Sequence, residues 1–211
     1  MTQPQTRYPD RHRHPPAVID AITPYISDLQ LISPQDRPDW LAQIAAPWQI
    51  AQLNADSVQP TRTAVTGARS DGGWDGCETV IVYRFTGTPP CAVIITNNDC
   101  TLRGLGAESP TTHPLTAPVG AGRCAVRSSG YFTAAGRRMW AQYSTYVTCS
   151  DAPDGAWLTL HGLFVSADAR TRLRDDVTAL SDALHEAFLA TVNAEASTAP
   201  IPVSEAHSDG S

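Results

Sequence analysis

The chain has 211 residues, of which 42 % are hydrophobic and 17 % are charged, and its formal net charge is −6. This length and hydrophobic content are enough to bury the core of one domain. The acidic total gives no basic signature for nucleic acid or for an anionic membrane surface, so we expect no nucleic-acid partner. No run approaches the roughly 20 apolar residues of a membrane-spanning helix, so we also expect no membrane span.

All fifteen basic residues are arginine, so the chain contains no lysine. Together with the abundance of alanine, this composition is typical of a GC-rich coding genome. We therefore predict that the protein comes from an actinobacterium or an actinobacteriophage. The alternative is selection against lysine-directed modification or proteolytic tagging.

The two ends of the chain are predicted to be tails around a single domain. Residues 1–15 are polar and rich in proline, arginine and histidine, and residues 194–211 are polar again. We expect both to be disordered and the α+β domain to span residues 16–193. The first residues contain no apolar core of a secretion signal, which predicts a cytoplasmic protein.

The N-terminal part of the domain is predicted to form short helices followed by strands. Apolar residues recur at helical spacing over 16–31, where Pro24 shortens or kinks the helix. The Ser-Pro pair at 33–34 is a second helix start, with serine as the cap and proline at the first helical position. Segments 48–53 and 61–68 are candidate strands.

The middle of the chain contains one clear strand and one irregular segment. Residues 77–85 are apolar on both faces, as is typical of an interior strand covered on both sides. The apolar run 91–96 follows a link of glycine, threonine and proline, and we interpret the two segments as a hairpin. Residues 104–121 are rich in glycine, proline and threonine without periodicity. This predicted loop is a candidate rim of a binding site.

The last third has the sharpest pattern. Residues 123–132, 138–149 and 156–165 predict three strands with short turns, which form an antiparallel meander. A long helix follows, and Asp168 is its candidate cap. Its apolar residues form one stripe: Leu173, Val177, Leu180, Leu184 and Phe188. We therefore expect an α+β fold with an antiparallel sheet of about six strands, short N-terminal helices, and this long C-terminal amphipathic helix packed on the sheet.

The five cysteines show no pair at the close spacing of zinc ligands, so we predict no metal site. Three of them lie in or beside predicted strands, where a reduced thiol behaves as a small core residue. The alternative is one or two disulfides, such as Cys91 with Cys100.

Catalytic patterns are weak in this sequence. Cys124 with His161 is the best pair for a Cys/His-dependent enzyme, but we interpret His161 as a half-exposed residue of the sheet. The carboxylates of Asp71, Asp75 and Glu78 are expected to be solvated in a turn. The glycine motifs that cradle phosphate groups are missing. We therefore predict no catalytic residues and no cofactor.

Arginines provide one candidate binding cluster. Arg137 and Arg138 begin a predicted strand, and Arg123, Arg127 and Tyr131 lie on the strand before it. On adjacent antiparallel strands these side chains can face a common anion. The alternative is a set of ordinary surface arginines at the end of a hairpin.

Aromatic residues and the predicted loop provide a second candidate site. Trp140 and Tyr146 share one face of the same strand, where they either belong to the core or form an exposed patch for a partner. His113 lies in the predicted loop 104–121 and is included among the candidate binding residues.

One family resemblance covers about a third of the chain. Residues 122–192 run strand, glycine turn, a long strand ending in Y-S-T-Y-V-T-C, a Pro-Asp-Gly turn, the strand W-L-T-L-H-G-L-F, and an amphipathic helix. In this order of elements the segment resembles the C-terminal half of PsbP-like domains, including actinobacterial lipoproteins of the LpqN type. Such domains are mostly non-enzymatic, so the resemblance implies an interaction role. The chain departs from the pattern in its N-terminal helical segment and in the missing lipid-attachment cysteine.

These observations lead to one main hypothesis and two alternatives. The main hypothesis is a non-catalytic interaction or accessory protein that binds a protein partner through a sheet face or through the 104–121 loop. The first alternative is a small-molecule or lipid binder with a pocket between the sheet and the C-terminal helix. The second is a Cys/His-dependent enzyme. The oligomeric state is left open, with a homo-oligomer among the alternatives.

Overall fold

The computed structural model describes residues 17–42, 44–52, 59–117, 122–149 and 155–198, with side chains described up to residue 194. The helices are α1 (Val18–Ile22), α2 (Cys91–Asn97), α3 (Cys100–Gly104) and α4 (Arg174–Thr198). The strands are β1 (Ile26–Leu31), β2 (Gln49–Ile50), β3 (Arg62–Ala68), β4 (Trp74–Gly87), β5 (Glu108–Pro114), β6 (Cys124–Ala134), β7 (Arg137–Thr148) and β8 (Ala156–Ser166). Short 3₁₀ turns span Thr23–Tyr25, Asp39–Leu41 and Ala167–Ala169.

All the described strands belong to one antiparallel sheet. Its order is β2-β3-β4-β8-β7-β6-β5, and β1 also pairs with β4. Two strands share one edge of β4, because β3 pairs with residues 74–80 and β1 pairs with residues 83–87. The long central strand β4 therefore connects the N-terminal strands to the meander formed by β6, β7 and β8.

Helices cover both faces of the sheet. On one face, α1 and α2 insert Val18, Ile22 and Ile94 against Phe85 and Leu158 of the sheet, and α3 adds a smaller cluster with Leu102 at its centre. On the other face, α4 packs its apolar stripe against the sheet. All the residues predicted for this stripe are buried: Leu173, Val177, Leu180, Leu184 and Phe188. Alternation along the strands sends apolar side chains to both sides, so each face needs a cover.

The α+β class expected from the sequence is confirmed, as are the meander, the strand over 61–68 and the long C-terminal helix. The sheet has eight described strands rather than about six. The predicted N-terminal helix is correct only in its first turns, because β1 replaces it after the 3₁₀ turn. Around residues 33–47 the described residues form a 3₁₀ turn in place of the predicted helix.

Two predictions for the middle of the chain are wrong. The run 91–96 is helix α2 and not a strand, so the predicted hairpin with β4 does not form. A short apolar run fits either structure, and here Pro90 precedes the first helical residue, a position that proline tolerates. The predicted loop 104–121 contains β5, which pairs with β6. Four of its residues, 118–121, lie outside the described part of the chain.

A disulfide joins Cys91 at the start of α2 to Cys124 at the start of β6, with a Cα–Cα distance of 5.6 Å. The expectation of reduced core thiols is therefore wrong for these two residues, and Cys91 is not paired with Cys100. The bond fastens α2 to the sheet over a sequence separation of 33 residues. Among the described residues, no helix is both long enough and apolar enough to cross a membrane.

Candidate binding site beneath the C-terminal helix

A cavity of about 180 Å³ lies between the sheet and α4. Its floor is formed by the ends of β7 and β8, its roof by the second half of α4, and its side by the segment before β2. The lining residues are Pro38, Trp40, Tyr146, Thr148, Trp157, Thr159, Leu184, Phe188 and Thr191. Four of the nine are aromatic, and the wall is mostly apolar, as in small-molecule pockets.

A second cavity of about 370 Å³ lies beside the first, towards the N-terminal half of α4. Trp40 and Leu184 line both cavities, so their side chains form the wall between them. Arg62 and Asp176 bring charge to the second cavity. Trp40 sits on the 3₁₀ turn Asp39–Leu41, which is anchored by the fully buried Leu41.

The residues with hydroxyl groups that line the first cavity are Tyr146, Thr148, Thr159 and Thr191, and the hydroxyls of Tyr146 and Thr148 are buried without a partner among the described residues. Thr148 is 4 % exposed, and its Oγ1 atom has no hydrogen-bond partner among the described residues. Tyr146 is also buried, against the rings of His185 and Phe188. Burial raises the pKa of the Tyr146 phenol, and the Arg127 guanidinium lowers it by a smaller amount. Tyr146 therefore remains a neutral wall of the cavity at physiological pH.

A buried ionic cluster lies under α4 next to the second cavity. The Glu78 carboxylate accepts hydrogen bonds from Arg62 Nε at 3.0 Å and from Arg62 Nη2 at 2.8 Å. His161 Nε2 lies 3.1 Å from Glu78 Oε1. The Glu78 and His161 side chains are fully buried. Burial raises the pKa of Glu78, but its contacts with His161 and Arg62 outweigh burial and hold it below the usual range.

A serine completes a set of residues that could resemble a hydrolase triad. Ser144 on β7 lies directly opposite His161 on β8. The Ser144 hydroxyl, however, accepts a hydrogen bond from Arg127 Nε at 3.2 Å, and His161 Nδ1 has no partner among the described residues. Neither Ser144, His161 nor Glu78 lines either cavity. The nucleophile–base contact that such chemistry needs is therefore not formed.

Hydrogen bonds also tie α4 to the sheet. Gln142 Nε2 donates to Ser181 Oγ at 2.7 Å, and Arg127 Nη2 donates to the Ser181 backbone oxygen at 3.5 Å. Ser181 is buried in the apolar stripe of the helix. A polar residue in this position needs partners on the sheet, and Gln142 and Arg127 supply them.

The structure does not bring the predicted arginine cluster together. Arg137 and Arg138 lie at the β6–β7 hairpin, where they pair with Asp71 and Glu108 respectively. Arg127 pairs with Ser144, six positions along the sheet from Arg138, or about 20 Å. Arg123 precedes the first residue of β6, further from the hairpin still. Binding of an anion by these residues stays a prediction.

The aromatic and loop candidates are also separated. Trp140 and Tyr146 do share a face, but α4 covers that face, and both are buried. Tyr146 lines the first cavity, whereas Trp140 packs under the Arg170 guanidinium, 4.0 Å from the ring centroid. They therefore form no exposed patch in this structure. His113 is exposed on β5, at the edge of the sheet.

Two expectations for polar residues of the sheet are wrong. His161 is buried rather than half-exposed, and Glu78 is buried in β4 rather than solvated in a turn. Alternation along β4 places Glu78 on the same face as Val80 and Val82, and this was the signal for its burial. No comparable pattern in the sequence indicated that Trp40 lines both cavities.

Comparison with known proteins places the fold in a class. An antiparallel sheet with a long C-terminal helix on one face and short helices on the other defines an α+β fold of the LpqN type, as the order of elements in the last third implied. A solved structure that this chain is similar to is the crystal structure of LpqN, described as involved in cell envelope biogenesis of Mycobacterium tuberculosis. The TM-score is 0.56 at 16 % sequence identity, and the match covers 77 % of this chain and 92 % of LpqN. At this identity the likeness shows the fold alone. No protein-family model matches the sequence, and no curated protein does.

Proposed function

We propose that this chain is a non-catalytic binding protein that holds a small apolar molecule in the first cavity, between the sheet and α4. The observation that carries the proposal is the cavity itself, an aromatic-walled space of about 180 Å³ next to a buried hydroxyl without a partner among the described residues. An engineered apolar cavity of about 150 Å³ is already enough to bind benzene. Neither Ser144, His161 nor Glu78 lines a cavity, and His161 Nδ1 has no hydrogen-bond partner among the described residues. This favours binding over catalysis.

The fold and the disulfide support an accessory role outside the cytoplasm. LpqN is described as involved in cell envelope biogenesis, and an accessory role in the envelope of an actinobacterium fits this likeness. Disulfides persist mainly in oxidising compartments, so the Cys91–Cys124 bond weighs against the cytoplasmic location expected from the sequence. The origin of the chain, from host or phage, stays a prediction.

Ligand binding can be tested with a matched pair of helix variants. Thr191 and Thr178 are both exposed on α4, and each donates its hydroxyl to the backbone oxygen four residues earlier. Only Thr191 lines the cavity. Benzene and naphthalene should bind the wild type in ligand-observed NMR and raise its melting temperature. Thr191→Phe should weaken this binding at least about tenfold by filling the cavity, whereas Thr178→Phe should not. Equal binding by both variants, or no binding by the wild type, would refute the proposal.

A protein partner at the edge of the sheet is a second candidate function. Among the described strands β5 is the last in the sheet order, so its outer edge carries backbone groups that a partner strand can pair with. His113 lies on this exposed strand. In a pull-down from an actinobacterial lysate, Thr111→Asp combined with His113→Asp should lose a partner that Thr178→Asp retains. Retention by both variants would remove the edge as the docking site.

A further inference from the structure

The wall between the two cavities limits the size of the ligand. Trp40 and Leu184 both line each cavity, and Leu184 is held in the apolar stripe of α4. Trp40, by contrast, is 41 % exposed and extends from a short 3₁₀ turn. Its indole is therefore the part of the wall whose removal would join the cavities of about 180 and 370 Å³ without disturbing the core.

The first cavity alone fits a ring better than a chain. Its volume is close to that of an apolar cavity that holds one benzene ring. Aromatic side chains supply the faces against which a ring can stack: Trp40, Tyr146, Trp157 and Phe188. A long acyl chain would need the second cavity as well, and the Trp40 indole blocks the way.

Two hydroxyl groups in the wall, those of Thr148 and Tyr146, are buried without a hydrogen-bond partner among the described residues, and the Tyr146 hydroxyl lies close to Arg127 and Ser144. Thr148 is 4 % exposed, and its Oγ1 atom has no hydrogen-bond partner among the described residues. A buried hydroxyl without a partner is costly, and a ligand group that donates to it or accepts from it removes that cost. The hydroxyl of Thr191, which also lines the cavity, is already bonded to the Ala187 backbone oxygen at 3.0 Å. Thr148 is therefore the best placed of these three hydroxyls to bind the ligand.

We propose that the ligand is a compact aromatic molecule with one hydrogen-bonding group, that Thr148 binds this group, and that Trp40 determines specificity by excluding a long aliphatic chain. This inference rests on the proposed function, because it concerns the same cavity. It adds the chemical class of the ligand and the two residues that select it.

Three probes separate the parts of the proposal: 1-naphthol, naphthalene and 1-decanol. In calorimetric or NMR titrations the wild type should bind 1-naphthol about fivefold more tightly than naphthalene, because the naphthol hydroxyl bonds to Thr148. It should bind 1-decanol more weakly than either. Thr148→Val should bring the ratio of naphthol to naphthalene affinity close to one. Thr63→Val is the control, because Thr63 Oγ1 is equally buried without a partner among the described residues but lies outside the first cavity.

Removal of the indole should change the preferred chain length. Trp40→Ala should bind 1-decanol at least about tenfold more tightly than the wild type, because more methylene groups leave water in the joined cavity. Trp74→Ala is the control, since Trp74 is also 41 % exposed but does not line either cavity. A wild type that prefers 1-decanol, or a naphthol preference that survives Thr148→Val, would overturn this inference and leave the proposed function standing. A wild type that binds none of the three probes would refute both.

Discussion

Arg62 on β3 and Glu78 on β4 are diagonal neighbours in the sheet and form a two-point ion pair in the interior of the protein. Both contacts are short, and the side chains are 5 % and 0 % exposed. His161 adds a third contact from β8, and Arg62 also donates to the Leu41 backbone oxygen at 3.4 Å. The cluster therefore connects three strands with the turn that carries Trp40.

Loss of the Glu78 charge should destabilise the fold strongly. Glu78→Gln leaves the Arg62 guanidinium buried beside a neutral amide, and breaking a buried pair from one side typically costs about 3–5 kcal/mol. Urea denaturation followed by circular dichroism measures the change. Glu108→Gln is the control, because Glu108 pairs with Arg138 on the exposed surface and should cost less than about 1 kcal/mol. Equal effects of the two substitutions would contradict the structural role given to the cluster.

The same carboxylate should make stability depend on pH in the acid range. The pKa of Glu78 is lower in the folded protein than in the unfolded chain, where a glutamate titrates near about 4.3. Its contribution is therefore complete above the unfolded pKa and is lost as the pH falls through the folded pKa. The urea midpoint of the wild type should decrease as the pH is lowered from 7 to 3, and that of Glu78→Gln should decrease less.

A matched control for this pH dependence is Asp71→Asn. The pKa of Asp71 is also lowered, chiefly by a hydrogen bond from the Gly73 backbone N–H, but the carboxylate is exposed and screened by solvent. The Asp71→Asn variant should therefore keep most of the acid dependence of the wild type. A flat profile for Asp71→Asn would assign the dependence to the surface turn.

The disulfide should contribute measurably to stability. Cys124→Ser in a Cys91→Ser background removes a bond that closes a sequence separation of 33 residues, and bonds of this kind typically contribute about 2–4 kcal/mol. Urea denaturation of the oxidised wild type and of the double variant gives the difference. Cys100→Ser should change stability much less, and addition of a reductant should leave the double variant unaffected. Peptide mapping that finds Cys91 and Cys124 unlinked in protein purified without reductant would contradict the assignment.

Docking of α4 should depend on the apolar stripe. Leu173 is 1 % exposed and contacts the core near Gly76, so Leu173→Ala should cost about 2–5 kcal/mol in the free energy of unfolding. Leu29, which is exposed on β1, provides the control, and Leu29→Ala should change stability by less than about 0.5 kcal/mol. Leu173 immediately precedes α4, so a small effect of Leu173→Ala would mean that the start of the stripe contributes little to docking of the helix.

Local patterns predicted the parts of the fold that rest on regular periodicity. The stripe from Leu173 to Phe188 repeats at helical spacing, and the last three strands alternate between short turns, so both were readable from sequence. The segment 91–96 was not, because six apolar residues in a row fit a buried strand and a buried helix equally. Pro90 before its first residue is compatible with a helix, and the disulfide from Cys91 to Cys124 fastens that helix to the sheet.

The candidate binding site and the buried ionic cluster beside it were less predictable because their residues are distant in sequence. Glu78 meets Arg62 from 16 residues away and His161 from 83 residues away. The Glu78 carboxylate was predicted to be solvated because its partners, Arg62 and His161, are not identifiable from the residues around it in the sequence. The cavity likewise depends on Trp40 reaching α4 from a segment whose helix prediction was wrong. The general position of a pocket, between the sheet and the C-terminal helix, was nevertheless among the alternatives the sequence offered.

The hydrogen bonds to Ser181 have a consequence for the shape of the cavity. Apolar contacts are not directional, so an apolar stripe alone would let a helix shift or rotate by a fraction of a turn over the apolar sheet face with little change in free energy. The hydrogen bonds from Gln142 and Arg127 to Ser181 fix both the position of α4 along its axis and its rotation about that axis. Leu184, Phe188 and Thr191 follow within three turns of this fixed point, so the roof of the cavity keeps its position over the floor. If the proposed ligand binds here, it therefore enters a cavity that is already formed, and α4 does not need to move.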